Sequence, residues 1–189
     1  MKQQADDTLA IRSADAEDFH ALTALYQRSV AYNPQGFIQD LSFHGSLVER
    51  IPSWRAQGGD VVVAYRGGAL VGLAALAPHD VARAELCKLH VDPDRQGQGI
   101  GRALCDTLIA GAHRSGFLAI ELHVTVTQTR AMALYESLGF VPHRRTLFET
   151  VVFGEPVAFD TLHMCLPLSD SAAQIRQPSS RKPVFVSNS

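Results

Sequence analysis

The run Glu85-Leu86-Cys87-Lys88-Leu89-His90-Val91-Asp92-Pro93-Asp94-Arg95-Gln96-Gly97-Gln98-Gly99-Ile100-Gly101-Arg102-Ala103-Leu104 carries the clearest structural signal in the chain. It reads as a β-strand that ends in a glycine-rich turn and passes directly into an amphipathic helix. Ile100, Leu104 and Leu108 recur every four residues and give that helix one apolar stripe. Gly97, Gly99 and Gly101 leave backbone N–H groups unobstructed at its start, where orphan donors and the helix dipole favour an anion. Arg95 and Arg102 flank the turn with positive charge. The pattern predicts a seat for a phosphate group; the plainer alternative is a tight strand-to-helix turn with no ligand.

Spacing narrows the ligand. A dinucleotide fingerprint needs G-x-G-x-x-G, yet the sixth residue is Arg102 counting from Gly97 and Leu104 counting from Gly99. A triphosphate-binding P-loop needs Gly-Lys-Ser/Thr, and that tripeptide does not occur. What stands there is Gln96-x-x-Gly99-x-Gly101 after a strand. Downstream lies Thr127-Gln128-Thr129-Arg130-Ala131-Met132-Ala133-Leu134-Tyr135-Glu136-Ser137-Leu138-Gly139-Phe140. The first motif resembles the pyrophosphate-binding turn of the GNAT superfamily of N-acetyltransferases. The second resembles that family's N-x-x-A-x-x-L-Y-E-x-x-G-F stretch, with Gln128 where Asn is more usual. The resemblance covers roughly residues 8 to 167 and implies acetyl-coenzyme A as co-substrate.

Composition sets outer bounds. A chain of 189 residues is long enough for one domain with a substantial core, and its 46% hydrophobic content is ordinary for a globular protein. The net charge of −2 predicts neither a nucleic-acid partner nor an anionic membrane surface. No apolar run approaches the roughly 20 residues that span a bilayer. Met1 to Thr8 is polar and acidic, unlike a signal peptide. Cys87, Cys105 and Cys165 are odd in number and lack metal-ligand spacing, which fits a reducing, cytoplasmic setting and predicts no metal.

Outward from the motif, helices are expected over about Asp15 to Val30 and Ser42 to Gln57, the second disturbed by Pro52. Val61 to Tyr65 and Ala69 to Leu76 flank Arg66-Gly67-Gly68 as a hairpin, and Ala84 to Val91 is the motif strand. The motif helix spans about Gly99 to Arg114. Phe117 to Val126 is a strand, Thr127 to Leu138 a helix, and Phe140 to Phe153 with Val157 to Leu166 a final hairpin. The order β-α-α-β-β-β-α-β-α-β-β predicts an α/β fold: a mixed, mostly antiparallel sheet of about six or seven strands flanked by about four helices. It also matches the GNAT fold. Residues 1–168 form the expected domain, and 169–189 read as a Ser- and Pro-rich flexible tail.

Acetyl transfer to an amine needs a neutral nucleophile, although a lysine-type amine has a pKa of about 10.4. It also needs donors aimed at the developing oxyanion, each contributing about 3 kcal/mol. On the motif strand Glu85, Cys87, Leu89 and Val91 are expected on one face at period two. By resemblance Glu85 is the general base; as a plain surface carboxylate it would pair with Arg83 or Lys88. Glu121 is the second candidate base. Tyr135, at the family's tyrosine position, is implied as the acid that protonates the departing thiolate, with core packing as its structural alternative. Cys87 is read as a buried, inert thiol rather than an acyl carrier.

The resemblance assigns the oxyanion donor to the Leu89 N–H and the pantetheine arm to Val91. Pyrophosphate contacts fall to the backbone of Gly97, Gln98, Gly99, Gly101 and Arg102, with the Arg95 and Gln96 side chains nearby. His90, Ile100 and Gln128 complete the implied cofactor-binding set. The acceptor pocket is expected from Val30 to Ser46 and Leu147 to Ala158. Its aromatic, weakly charged content (Tyr32, Phe37, Phe43, His44, and Asp40 as the acid of the first segment) suggests a small amine, amino-acid-like or amide-bearing acceptor. Alternatives are a non-catalytic acyl-coenzyme A sensor, or an acyltransferase acting on a protein N-terminus or lysine. Strand edges at the last hairpin permit a homodimer.

Overall fold

A computed structural model describes residues 7–32, 47–152 and 155–168. Its strands are β1 (Ala10–Ser13), β2 (Asp60–Arg66), β3 (Ala69–Pro78), β4 (Arg83–Val91), β5 (Ala119–Thr125), β6 (Val141–Val152) and β7 (Glu155–Pro167). Its helices are α1 (Phe19–Tyr32), α2 (Leu47–Ala56), α3 (Ile100–Arg114) and α4 (Thr129–Ser137). Element types and order follow the sequence expectation. The ends differ slightly: α1 is preceded by a 3-10 turn, Ala16–Asp18, capped by Asp15, and Pro52 is accommodated within α2. The expected start of α2 before Leu47, most of the connection ahead of it, and the tail from 169 lie outside the described residues.

The seven strands form one sheet in the order β1-β2-β3-β4-β5-β7-β6. All neighbours are antiparallel except β4 and β5. Both faces are covered, so β2 reads as an unbroken apolar run rather than an alternation. Val62 and Ala64 face one core with Leu104, Leu108 and Phe140; Val61 and Val63 face the other with Leu22, Leu25 and Ile51. Gly72 lets α3 settle closely on β3, because a Cβ there would stand 2.9 Å from both Ile100 and Leu104 side chains. The front of α3, with the glycine turn, is thereby fixed relative to β4.

A buried polar cluster ties the N-terminal segment to the sheet. Asp18, 1% exposed, accepts two hydrogen bonds from Arg12, both 2.7 Å, and one from the Tyr65 hydroxyl at 2.6 Å. Burial would raise the Asp18 pKa, but these donors outweigh it and hold the carboxyl at about 2.

Two irregularities interrupt β4. Leu73 pairs with His90 and Ala75 with Cys87, so Ala74 alone opposes Lys88 and Leu89, a β-bulge. Lys88 there adopts φ +55°, in the left-handed region. The bulge shifts the strand's phase by one residue, which corrects the expected single face. Glu85 and Cys87 stay on the α1/α2 side, whereas Leu89 and Val91 pack with the α3 core. The second irregularity is a split. β4 and β5 are paired only from Arg83–Ala119 to Glu85–Glu121, while β5 continues against β7 to Thr125–Thr161.

Candidate active site

The split gives the sheet a seam, and a cleft opens on each side of it. The groove on the α3 side, about 750 Å³, is lined by Leu89 and Val91, by Arg95, Gln96, Gly97 and Gly99, and by the first residues of α3 and α4. Gly97 (φ +76°) and Gly99 (φ +79°) hold left-handed backbone with open space beside them, which an L side chain adopts only at a cost. Gly99 is the N-cap of α3 and offers no side chain to satisfy the first-turn amides. Those donors point into the groove, where helix dipole and amides favour an anion. Asp92 braces the turn by accepting from the Asp94 amide at 3.1 Å and from Arg28 of α1 at 2.7 Å. The Gln98 side chain turns away from the groove and accepts from Arg66 at 2.7 Å.

The cleft on the other side, about 580 Å³, is lined by Tyr26, Arg50, Trp54, Glu85, Cys87, Lys88, His90, His123, Thr125, Thr146, Phe148, Phe159, Thr161 and His163, among others. Gln128, at the N-cap of α4, lines both spaces. The pairing register explains the far wall. His123 opposes His163 on β7, Thr146 opposes Thr161, and Phe148 opposes Phe159, so one face of β5, β6 and β7 looks into the cleft.

Glu85 sits at the bottom of the seam, and its Oε1 lies 3.4 Å from Nδ1 of His123. Its partner is therefore His123, not Arg83, which binds Asp80 at 2.8 Å and Glu121 at 3.4 Å. His123 in turn packs edge-on to His163, ring centroids 4.4 Å apart. The Arg144 guanidinium, which has only donors, lies 3.1 Å from His163 Nδ1, so that nitrogen accepts. The opposite Nε2–H then donates to Thr146 Oγ1 at 2.7 Å. Burial, with the neighbouring His123, Arg144 and His143 charges, pushes the His163 pKa down to about 4 and keeps the ring neutral.

Tyr135 lies in the α3-side core, 8% exposed, edge-on to Phe140 at 5.9 Å. Its hydroxyl has no hydrogen-bond partner among the described residues, and burial raises its pKa. The phenol is protonated at neutral pH. Burial likewise pushes Cys87 up to about 12, so this thiol is a poor nucleophile. His90 turns its ring to the cleft that holds Glu85, with Nδ1 3.0 Å from Ser29 Oγ and Tyr26 edge-on at 4.7 Å. Among the described residues no cluster of three or more His, Cys, Asp or Glu could hold a metal.

The seam thus places Glu85 in one cleft and Leu89, Val91 and the glycine turn in the other, with Gln128 lining both and Tyr135 neither. Of the expected acceptor segments, Phe148 lines the cleft, Tyr32 is exposed on α1 away from it, and Phe37, Asp40, Phe43 and His44 lie outside the described residues. Arg50, Trp54, Lys88 and His163 join the wall without having been marked by any motif. A signal existed for part of it: Phe159, Thr161 and His163 recur at period two along β7. None existed for Lys88, which enters the cleft only because of the bulge.

Known proteins agree with this geometry. Over 88 residues the chain is 41% identical to the [ribosomal protein bS18]-alanine N-acetyltransferase of Escherichia coli K12, a match covering 46% of this chain and 57% of that protein. Over 75 residues it is 43% identical to the mycothiol acetyltransferase of Beutenbergia cavernae, covering 40% of this chain and 25% of that one. The matches span less than two thirds of either relative. Salmonella typhimurium yncA, solved with its cofactor acetyl-CoA, superposes with a TM-score of 0.73 at 26% identity, over 87% of this chain and 96% of that one. The family model for Acetyltransferase (GNAT) matches residues 19–140. By fold, motifs and family match alike, the chain belongs to the GNAT acetyltransferase family.

Proposed function

We propose that the protein is an acetyl-coenzyme A-dependent N-acetyltransferase that moves acetyl to the primary amine of a small, amino-acid-like acceptor by direct attack in a ternary complex. The catalytic unit is residues 1–168. The seam supports this reading: a groove headed by the N-terminus of α3 and a polar, aromatic-walled cleft open on opposite sides of one gap between β4 and β5. Acetyl-coenzyme A supplies the activated thioester. The first-turn amides of α3 hold the diphosphate, and the bulged strand turns the Leu89 N–H toward the acetyl oxygen. Glu85 with His123 takes the ammonium proton from the acceptor, and the Tyr135 hydroxyl protonates the departing sulfur.

A thiol-release assay with acetyl-coenzyme A and a panel of amines tests this reading, with calorimetry reporting coenzyme A binding. Binding without turnover of any amine would turn the protein into an acyl-coenzyme A sensor. No binding would sink both readings. The three free thiols suit a reducing, cytoplasmic setting. Strand β6 borders the sheet with Leu147 and Val151 about two-thirds exposed, and a homodimer through that edge is the partner reading, checked by light scattering.

A further inference from the structure

The acceptor-side cleft is polarised. Glu85 stands at the seam beside His123, and His163 beyond it is neutral. The same cleft also carries two cations, the exposed Arg50 from α2 and the half-buried Lys88 from the bulge. Neither has an ion-pair partner among the described residues. The Lys88 ammonium lies 5.7 Å over the Tyr26 ring, and burial, with the Arg50 charge adding to it, pulls its pKa down to about 8. A lysine held at φ +55° and left half-desolvated beside a second cation is unfavourable in isolation. An anion in the cleft would offset that cost.

Resting on the acetyltransferase reading, we infer that Arg50 and Lys88 form a carboxylate clamp, and that the acceptor is a free α-amino acid with its carboxylate on this pair and its amine at Glu85. Glu85 and Lys88 stand three residues apart on β4, and the bulge brings both into the lining of this one cleft, so a single small acceptor can meet both charges. Trp54, Phe148 and Phe159 then face the acceptor's side chain and favour an apolar one. A protein N-terminus carries an amide at that position and leaves the half-buried Lys88 without a counter-charge, which disfavours it.

The test uses the full chain with acetyl-coenzyme A and the common L-amino acids, each offered as free acid and as carboxamide. At least one free acid is expected to exceed its carboxamide in kcat/KM by about 10- to 100-fold. Arg50→Met and Lys88→Met each compress that ratio by about tenfold, mainly through KM for the acid, and Lys88→Arg restores it. Melting temperatures confirm that each variant folds. Carboxamides accepted as well as or better than acids would overturn the inference and favour a protein N-terminus. An unchanged ratio in both Met variants would also overturn it, as would coenzyme A binding with no acid accepted. Absence of coenzyme A binding instead removes the underlying reading together with this one.

Discussion

Glu85 and His123 meet across the seam of the sheet, carboxylate oxygen to imidazole nitrogen at 3.4 Å, on the last paired rung of β4 and just beyond it on β5. The pair joins two strands that diverge immediately afterwards, so it sits at the head of the split between the two clefts.

Glu85→Gln keeps the shape of the side chain and removes its capacity to take a proton. The expected result is a fall in kcat of about 100-fold with coenzyme A affinity unchanged. Steady-state rates and calorimetry separate the two. A normal rate in this variant would return Glu85 to a surface carboxylate.

Tyr135→Phe is expected to lower kcat by about tenfold or more with little change in melting temperature. The reason is that its hydroxyl has no partner among the described residues and its ring contact with Phe140 survives. Tyr135→Ala, by contrast, opens a cavity and costs about 3–5 kcal/mol of stability. Equal losses of rate and stability in the Phe variant would make Tyr135 a packing residue.

Gly99→Ala forces a Cβ onto left-handed backbone at the N-cap of α3. The strain is about 1–2 kcal/mol, and its relief tilts the first-turn amides. Titration calorimetry should show coenzyme A binding weakened by about tenfold or more, with the fold intact by circular dichroism.

Stability should decline in two steps on acidification. His163 is neutral in the fold with its pKa depressed to about 4 from 6.5, so the unfolded chain takes up the proton first. Its contribution, up to about 3 kcal/mol, is present above pH 6.5 and lost as pH falls toward 4. Asp18, held at about 2 against 3.8, contributes roughly 2 kcal/mol above pH 4, lost as pH falls through about 2. Urea denaturation at pH 7, 5, 4 and 2 measures both. His163→Gln flattens the first step and Asp18→Asn the second.

Much of this architecture is legible in the amino-acid sequence. Apolar period four in Ile100, Leu104 and Leu108 marks α3 as amphipathic, and Gly139 after Leu138 marks the end of α4. Such signals are local, because a helix face or a turn depends on residues a few positions apart. The glycine turn belongs to the same class: Gly97 and Gly99 are needed there for backbone reasons that the neighbouring residues already state. The cleft beside Glu85 is different. It is assembled from β4, β5, β6, β7, α1 and α2, and its members meet only through pairing register.

The element order, the glycine turn and the family resemblance each rest on spacing within one stretch of chain, so the amino-acid order was enough to read them. Folding in three dimensions was needed to learn which side of the sheet each β4 residue faces, because a single extra residue at Lys88 reverses an alternation that a straight strand would keep. The same holds for Glu85 answering to His123 and for Arg50 standing near Lys88. The partners in each pair are 38 positions apart, brought together by strand pairing and helix packing rather than by any local preference.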